Sequence, residues 1–181
     1  MKDWLGCFHV RHLGLIRESE QSRTSCPHHQ LDNFDCGKPS LNEWLVSHAR
    51  QAQASGSAKT FVVVETNRVV GYFSLTVGQV DRLDAPERIR KGMGQYPLPV
   101  VVLARLAVCK QNQGQGIGFG LLRTLQIAEQ AGIRAMLVHP MDEEAARFYT
   151  QFGFIASPLR ERQLLLFTQR RTPLGQIVFK V

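Results

Sequence analysis

The sequence QGQGIG at residues 113–118 follows a dense apolar run, VVVLARLAV at 100–108, and precedes an amphipathic run at 119–131. It fits the pattern Q/R-x-x-G-x-G/A. The order of strand, glycine loop and helix predicts an anion site, because glycines let the backbone turn tightly and expose its amides. The first amides of a helix lack internal partners and lie at the positive end of its dipole. A pyrophosphate can therefore dock on this loop with little help from side chains.

Other phosphate-binding motifs do not fit this loop. No Lys-Ser/Thr pair follows its last glycine, as a P-loop requires, and no G-x-G-x-x-G precedes an acidic residue by about 20 positions. A second strand at 133–138 comes after the amphipathic run, followed by RFY at 147–149 and FGF at 152–154. In this order, the segments resemble those of the GNAT family (Gcn5-related N-acetyltransferases).

The resemblance implies an α/β fold, the GNAT fold, in which helices flank a mixed, mostly antiparallel central sheet. Its splayed central strands bind acetyl-coenzyme A as a co-substrate. Pantetheine lies between them like an extra strand, the glycine loop holds the pyrophosphate, and an amide near Leu106 meets the oxyanion. The residues expected to bind the co-substrate are Leu106, Ala107, Val108, Gln113, Gly114, Gln115, Gly116, Ile117 and Gly118.

Tyr149 is the general-acid candidate by the same resemblance, since a tyrosine at this motif position can approach the coenzyme sulfur. A phenol has an ordinary pKa of about 10, so it stays protonated at neutral pH and can donate. The alternative is a structural tyrosine packed beside Phe148. Glu65, His48 and His139 could act as a general base, although no pattern marks any of them.

Length and composition set limits on the class of protein. A chain of 181 residues with 44% hydrophobic content predicts one compact domain. No apolar stretch approaches the roughly 20 residues of a membrane helix, and the N-terminus lacks a signal-peptide pattern, so we expect a cytoplasmic protein that does not bind membranes. The four cysteines have no paired spacing. CPHH at 26–29 has no second ligand pair, so no metal is expected.

The formal net charge is +7 and the pI is about 9.6. A positive surface raises encounter rates with polyanions, and both coenzyme A and RNA are polyanions. A solvated basic face is the alternative explanation. Arg105 interrupts an otherwise apolar strand, where a charge needs a partner or the edge of a site. The residues that we consider for contacts to nucleic-acid phosphates are Arg88, Arg90, Lys91 and Arg105.

Periodicity places the remaining elements. The predicted elements are a helix at 41–53, a hairpin at 60–65 and 69–77, a short helix at 85–91, a helix capped by Asp142 and a strand at 164–167. Residues 1–28 form a weakly patterned N-terminal extension that we expect to be a short strand or a disordered arm. Residues 29–168 form the single acetyltransferase domain, and 169–181 form a C-terminal tail.

A narrower resemblance covers most of residues 29–167. It is to the GNAT toxins of bacterial type II toxin–antitoxin systems, of the TacT, KacT and AtaT kind. The segments that carry it are 29–37 (HQLDNFDCG), 41–45 (LNEWL), 60–64 (TFVVV), 71–75 (GYFSL), 99–108 (PVVVLARLAV), 138–139 (VH) and 147–149 (RFY). It implies acetylation of the α-amino group of aminoacyl-tRNA, which blocks translation. It also implies a ribbon-helix-helix antitoxin, operator DNA bound only through the antitoxin complex, and a homodimer.

Two other functions stay open at this stage. The glycine loop suits an N-acetyltransferase for a small molecule or a protein N-terminus equally well. The helix between Gly118 and Ile133 also looks several residues shorter than is usual in these toxins. The chain could then be a degenerate toxin that acts only in an antitoxin-bound repressor complex.

Overall fold

A computed structural model describes residues 31, 33–65, 68–118 and 133–167, together with the backbone of residues 6–11 and 14–15. The amphipathic run at 119–131, whose length separated the active from the degenerate interpretation, lies outside the described residues. So do the tail at 169–181 and most of the N-terminal extension. Within that extension, the described backbone forms two strands, which agrees with the expected short strand.

An eight-stranded sheet organises the chain, with the order β2-β1-β3-β4-β5-β6-β8-β7. Its strands are β1 (Gly6–Arg11), β2 (Gly14–Leu15), β3 (Lys59–Glu65), β4 (Arg68–Val80), β5 (Leu98–Val108), β6 (Ala135–Val138), β7 (Ile155–Ala156) and β8 (Leu164–Phe167). The β1–β3 and β5–β6 pairs are parallel. The β1–β2, β3–β4, β6–β8 and β7–β8 pairs are antiparallel. The predicted mixed, mostly antiparallel sheet is confirmed.

The described helices are short. They are α1 (Pro39–Glu43), α2 (Ala49–Ala54), α3 (Glu87–Arg90) and α4 (Glu143–Gln151), with 3₁₀ turns at Arg82–Asp84 and Lys110–Asn112. A π-helical turn, Trp44–His48, separates α1 from α2, so the continuous helix predicted over 41–53 is interrupted. Such turns occur mostly as single insertions and often at functional sites. Pro39 suits the start of α1, where its missing N–H would have no helical partner.

The chain divides into two compact units. The first comprises residues 1–75 and 105–125, and the second comprises 76–104 and 126–181, so β4 and β5 each contribute to both. The core of the first unit includes Leu31, Phe34, Trp44, Leu45, Ala49, Val62, Tyr72 and Ala107. The core of the second includes Val80, Ala85, Ile89, Leu98, Val100, Ala135, Leu137 and Leu165.

Strand β5 extends well beyond its partner β6. The parallel register joins Val100 to Ala135 and ends where Leu103 meets Val138. β5 then continues through residues 104–108. Its β-branched residues favour the extended conformation. The end of the β6 register at Leu103 is the arrangement expected of splayed central strands.

Candidate active site

The glycine loop begins where β5 ends. A 3₁₀ turn, Lys110–Asn112, follows the strand, and residues 117 and 118 already have helical backbone structure. Gly114 and Gly116 have φ angles of 75° and 77°, a region that L side chains rarely adopt. A Cβ added at either glycine would meet nothing within 4 Å. The glycines are therefore required by backbone conformation, and the loop presents an open backbone surface on which a phosphate can approach.

Gln113 supports the loop from within the first unit. Its side-chain Nε2 donates to the carbonyl oxygens of Cys36, at 3.1 Å, and Val108, at 3.0 Å. Its backbone amide donates to the Lys110 oxygen at 3.3 Å. The Gln115 side chain also bonds to the preceding backbone, since its Nε2 donates to the Gln111 oxygen at 3.3 Å. The side chain that opens the motif thus holds the turn.

Asp35 joins this turn to an earlier part of the chain. Its carboxylate lies 2.9 Å from the Lys110 Nζ. It also accepts hydrogen bonds from the Gly37 amide, at 2.8 Å, and the Asn42 Nδ2, at 2.9 Å. The bond from Lys110, followed by those from Gly37 and Asn42, lowers the pKa of Asp35 from 3.8 to about 2. The carboxylate is therefore ionised throughout the physiological range.

Residues 106–108 occupy the part of β5 that runs beyond the β6 register. Ala107 is buried, whereas Leu106 and Val108 are partly exposed. Arg105 precedes them, and its guanidinium carbon lies 4.1 Å from the centroid of the Trp44 ring. Trp44 in turn stacks on Tyr72 at 5.8 Å. The charge within the apolar strand therefore has an aromatic partner.

Tyr149 lies on α4 in the second unit. The helix is capped as predicted, because Asp142 accepts a hydrogen bond from the Ala145 amide at 2.9 Å. Tyr149 is buried and packs edge-on against Phe148 and Phe154, each at 5.3 Å between ring centroids. Burial raises the pKa of the Tyr149 phenol. The hydroxyl is therefore neutral at every physiological pH and can act only as a proton donor or an acceptor of hydrogen bonds.

The basic segment of the second unit contains both exposed and engaged cations. Arg88 and Lys91 are exposed, and Arg90 is partly buried. The Arg82 Nη1 donates to the Met93 oxygen at 2.9 Å. Arg134 donates to the oxygens of Ile89, at 2.9 Å, and Lys91, at 2.8 Å. Arg82, which belongs to the same basic cluster in the sequence, and Arg134, which the sequence pattern did not mark, thus fasten the segment carrying Arg88 and Lys91.

No candidate base is distinguished by its surroundings. Glu65, His48 and His139 are all exposed, and Glu65 accepts a hydrogen bond from the Asn112 Nδ2 at 3.2 Å. Within the described ranges, no group of three or more His, Cys, Asp or Glu side chains could hold a metal ion. Nor does this part of the chain contain a helix long and apolar enough to span a bilayer.

The predicted residues fall into two sets. Arg105, residues 106–108 and the loop at 113–118 lie together in the first unit, where Gln113 bonds directly to Val108. Tyr149 and the basic residues 88–91 belong to the second unit. The sequence reasoning missed Asp35, Asn42 and Lys110. Asp35 and Asn42 lie in the short polar pattern FDCG followed by LN, but hydrophobic periodicity alone does not predict what such a pattern contacts.

Comparison with known proteins identifies the class. The family model described as "Acetyltransferase (GNAT) domain" matches residues 56–156, and the chain belongs to this family. It is 40% identical over 141 residues to the tRNA-acetylating toxin of Mycobacterium tuberculosis (strain ATCC 25618 / H37Rv), an alignment that covers 75% of this chain and 84% of that protein.

Solved structures of related toxins share the fold. The structure of AtaT complexed with acetyl-methionyl-tRNAfMet has a TM-score of 0.71 and 26% identity, covering 77% of this chain and 88% of that one. The structure of AtaTR bound with AcCoA has a TM-score of 0.66 and 27% identity, covering 77% and 87%. The predicted recognition of the GNAT family and its fold is confirmed.

Proposed function

We propose that this chain is a toxin that uses acetyl-CoA to acetylate the α-amino group of an amino acid carried by tRNA, and so blocks translation. The observation that carries the proposal is the 40% identity, over three-quarters of the chain, to a protein named tRNA-acetylating toxin. The AtaT structure with acetyl-methionyl-tRNAfMet adds a structural relative bound to the product of such a reaction. Charged tRNA as the acceptor implies a cytoplasmic site of action.

The donor site in this proposal is the first unit's glycine loop with the end of β5. The amides of residues 114–118 would hold the pyrophosphate, because Gly114 and Gly116 give the loop its left-handed turns and leave its outer side open. The backbone at residues 106–108 would receive the pantetheine, since the β6 register ends before it. An amide near Leu106 would stabilise the oxyanion formed when the amine attacks the thioester carbonyl.

Tyr149 would act as the general acid. The attacking amine forms the new C–N bond, the C–S bond breaks, and the leaving thiolate requires a proton. The raised pKa of the Tyr149 phenol keeps that proton in place until the thiolate develops. A tyrosinate formed transiently would be reprotonated by solvent or by the proton lost from the amine. A positioned acid of this kind contributes roughly 10²–10⁴-fold to a rate.

An α-amino group needs little help to lose its proton. Its ordinary pKa is about 7.7–8.0, and esterification of the adjacent carboxyl withdraws electrons and lowers the value further. A lysine ε-amine, with an ordinary pKa of about 10.4, would need a strong base. The exposed positions of Glu65, His48 and His139 therefore fit an aminoacyl ester better than a lysine.

The net charge of +7 supports a polyanionic acceptor. Exposed Arg88 and Lys91 would contact tRNA phosphates, which position the substrate without reading its sequence. Arg90 and Arg105, also considered for this role, are partly buried, so they would contribute less directly.

The partners that we propose for this chain are inferred from the same relatives. A point mutant of AtaT has been solved with the C-terminus of the antitoxin AtaR, and the AtaT–AtaR complex has been solved bound to DNA. We extend this arrangement to the present chain as a homodimeric toxin neutralised by a ribbon-helix-helix antitoxin, with operator DNA contacted through the complex.

Expression in bacteria tests the proposal. Induction of the wild-type chain should arrest growth, and Tyr149→Phe at equal protein level should relieve the arrest. Tyr96→Phe is the matched control, because Tyr96 is 82% exposed in the same unit, and it should remain toxic. Unimpeded growth with the soluble wild-type protein would contradict the proposed function.

A further inference from the structure

Two distant parts of the sequence meet beside the glycine loop. Residues 35–37 contact the turn at 110–113, and we call these contacts the loop clasp. The Lys110 amide donates to the Asp35 oxygen at 2.8 Å. The Gln113 Nε2 donates to the Cys36 oxygen, and Asp35 pairs with Lys110. Backbone and side-chain bonds together tie the turn that opens the loop to residues 35–37.

The segment at 35–37 is itself held in one conformation. Asn42 Oδ1 accepts from the Cys36 amide at 3.0 Å, while Asn42 Nδ2 donates to Asp35. Gly37 has a φ of 88°, and a Cβ there would lie 2.9 Å from the Lys110 Cε. Glycine is thus favoured by the backbone angle, and the flexible Lys110 stem lies directly against it. Hydrogen bonds to Asn42 therefore hold residues 35–37 in place, while their bonds to Lys110 and Gln113 hold the turn.

From this geometry we propose that Asp35, Lys110 and Gln113 are positioning residues for the pyrophosphate of acetyl-CoA. They hold the turn before Gly114 in the shape that aims the following amides at the anion, and they contact no phosphate themselves. This inference rests on the proposed use of acetyl-CoA and deepens it. The physical reason is that a flexible loop must be ordered when a ligand binds, whereas a preorganised loop has already been ordered by folding.

A direct role for Lys110 in phosphate binding predicts the opposite effect of Asp35→Ala on the affinity for coenzyme A. If Lys110 were a direct phosphate ligand, Asp35 would compete for its ammonium. Removing the carboxylate would then leave the affinity for coenzyme A unchanged or increase it. If the clasp positions the loop, removing either partner weakens binding, and the losses from the two single variants do not add in the double variant.

The experiment is calorimetric titration of the full chain with coenzyme A, using Asp35→Ala, Lys110→Met, their double variant and Gln113→Leu. We expect each single variant to bind about three- to tenfold more weakly, since each loses hydrogen bonds of modest net strength. The double variant should lose no more than about the larger single effect. Lys110→Arg should stay within about twofold of wild type, because it can preserve the pair with Asp35.

A second donor separates positioning of the loop from general damage to the fold. S-acetylpantetheine carries the thioester and pantetheine but no pyrophosphate. In Asp35→Ala and Lys110→Met, the KM for acetyl-CoA should rise while the KM for S-acetylpantetheine and the kcat stay unchanged. Arg160→Met is the matched control, because its ion pair with Asp84 is also 2.9 Å long and its side chain is 62% exposed, against 60% for Lys110.

The possible outcomes distinguish failure of the proposed function from failure of the loop clasp. Wild-type protein that fails to bind coenzyme A would overturn the proposed function itself. Wild-type binding with unchanged or tighter binding by Asp35→Ala would overturn the clasp alone. Equal losses for acetyl-CoA and S-acetylpantetheine would show a structural defect and would also overturn it.

Discussion

The guanidinium of Arg105 lies over the ring of Trp44, 4.1 Å from its centroid. This contact joins the strand that leads to the glycine loop with the π-helical turn at Trp44–His48. Trp44 is buried and stacks on Tyr72, whose hydroxyl donates to the Leu41 oxygen at 2.8 Å. The pairing explains how a cation is accommodated within an apolar strand.

Arg105→Met should destabilise the protein by about 1 kcal/mol, because methionine keeps an apolar stem over Trp44 but loses the cation–π attraction. Urea denaturation measures the change. Arg50→Met is the control, since Arg50 is an exposed arginine on α2 of the same unit. Equal stability of the two variants would show that the Arg105–Trp44 contact contributes nothing measurable.

Removal of Arg88 or Lys91 should reduce the salt dependence of tRNA binding. Each phosphate contact releases counterions, so Arg88→Ala and Lys91→Ala should each lower the slope of log K against log salt by about one. Arg105→Met should change that slope less, because Arg105 is partly buried and its guanidinium packs on Trp44. Filter binding with uncharged tRNA at several salt concentrations provides the measurement. An unchanged slope in both alanine variants would rule out this segment as a phosphate contact.

Tyr149→Phe should lower kcat by at least about 100-fold while the Kd for acetyl-CoA stays within about twofold. The ring is retained, so its packing against Phe148 and Phe154 persists. Single-turnover transfer and calorimetry measure the two quantities. A variant with wild-type kcat would mean that Tyr149 is only a buried core residue.

The pH profile should be controlled by the substrate amine and not by Tyr149. The wild-type rate should rise between about pH 6 and 8 as the amine, whose pKa lies below the ordinary 7.7–8.0, loses its proton. Because burial raises the pKa of the Tyr149 phenol, the acid stays protonated and no fall should follow up to about pH 10. A fall in the single-turnover rate near pH 8–9 with intact substrate would contradict this assignment.

Gly116→Ala should weaken acetyl-CoA binding through the backbone. The φ of 77° is unfavourable for alanine by roughly 1–2 kcal/mol, although the added Cβ itself meets no atom within 4 Å. Gly56→Ala is a close control, since Gly56 has a φ of 72° and equally open surroundings. Both variants should lose stability, but only Gly116→Ala should lose affinity. Equal affinity in both would remove the loop from the donor site.

The sequence predicted the elements whose patterns are local. β5 was clear from its β-branched run, the glycine loop from its spacing, and the cap of α4 from Asp142, and all three are present in the structure. The π-helical turn was not predictable from periodicity, and its Trp44 contacts two residues that local patterns do not connect to it, Arg105 and Tyr72. Those partners are 28 or more positions away in the sequence.

The site shows the same division between local and distant signals. The loop at 113–118 could be read from the sequence, but the bond from Gln113 to Cys36 spans 77 positions, and nothing local in either residue indicates it. Likewise, the sequence shows Arg134 only as one contributor to the net charge. Its hydrogen bonds to the oxygens of Ile89 and Lys91 are evident only from the structure. Hydrogen bonds between distant segments depend on the fold that brings them together.

The most direct test of the central claim combines purified protein and labelled acetyl-CoA with total charged tRNA, and uses uncharged tRNA and free amino acids as controls. We predict that label appears only on charged tRNA and is released with the aminoacyl ester on mild alkaline hydrolysis. Sequencing the labelled tRNAs would then identify the acceptors. Label on free amino acids, or none on charged tRNA despite acetyl-CoA binding, would contradict the claim.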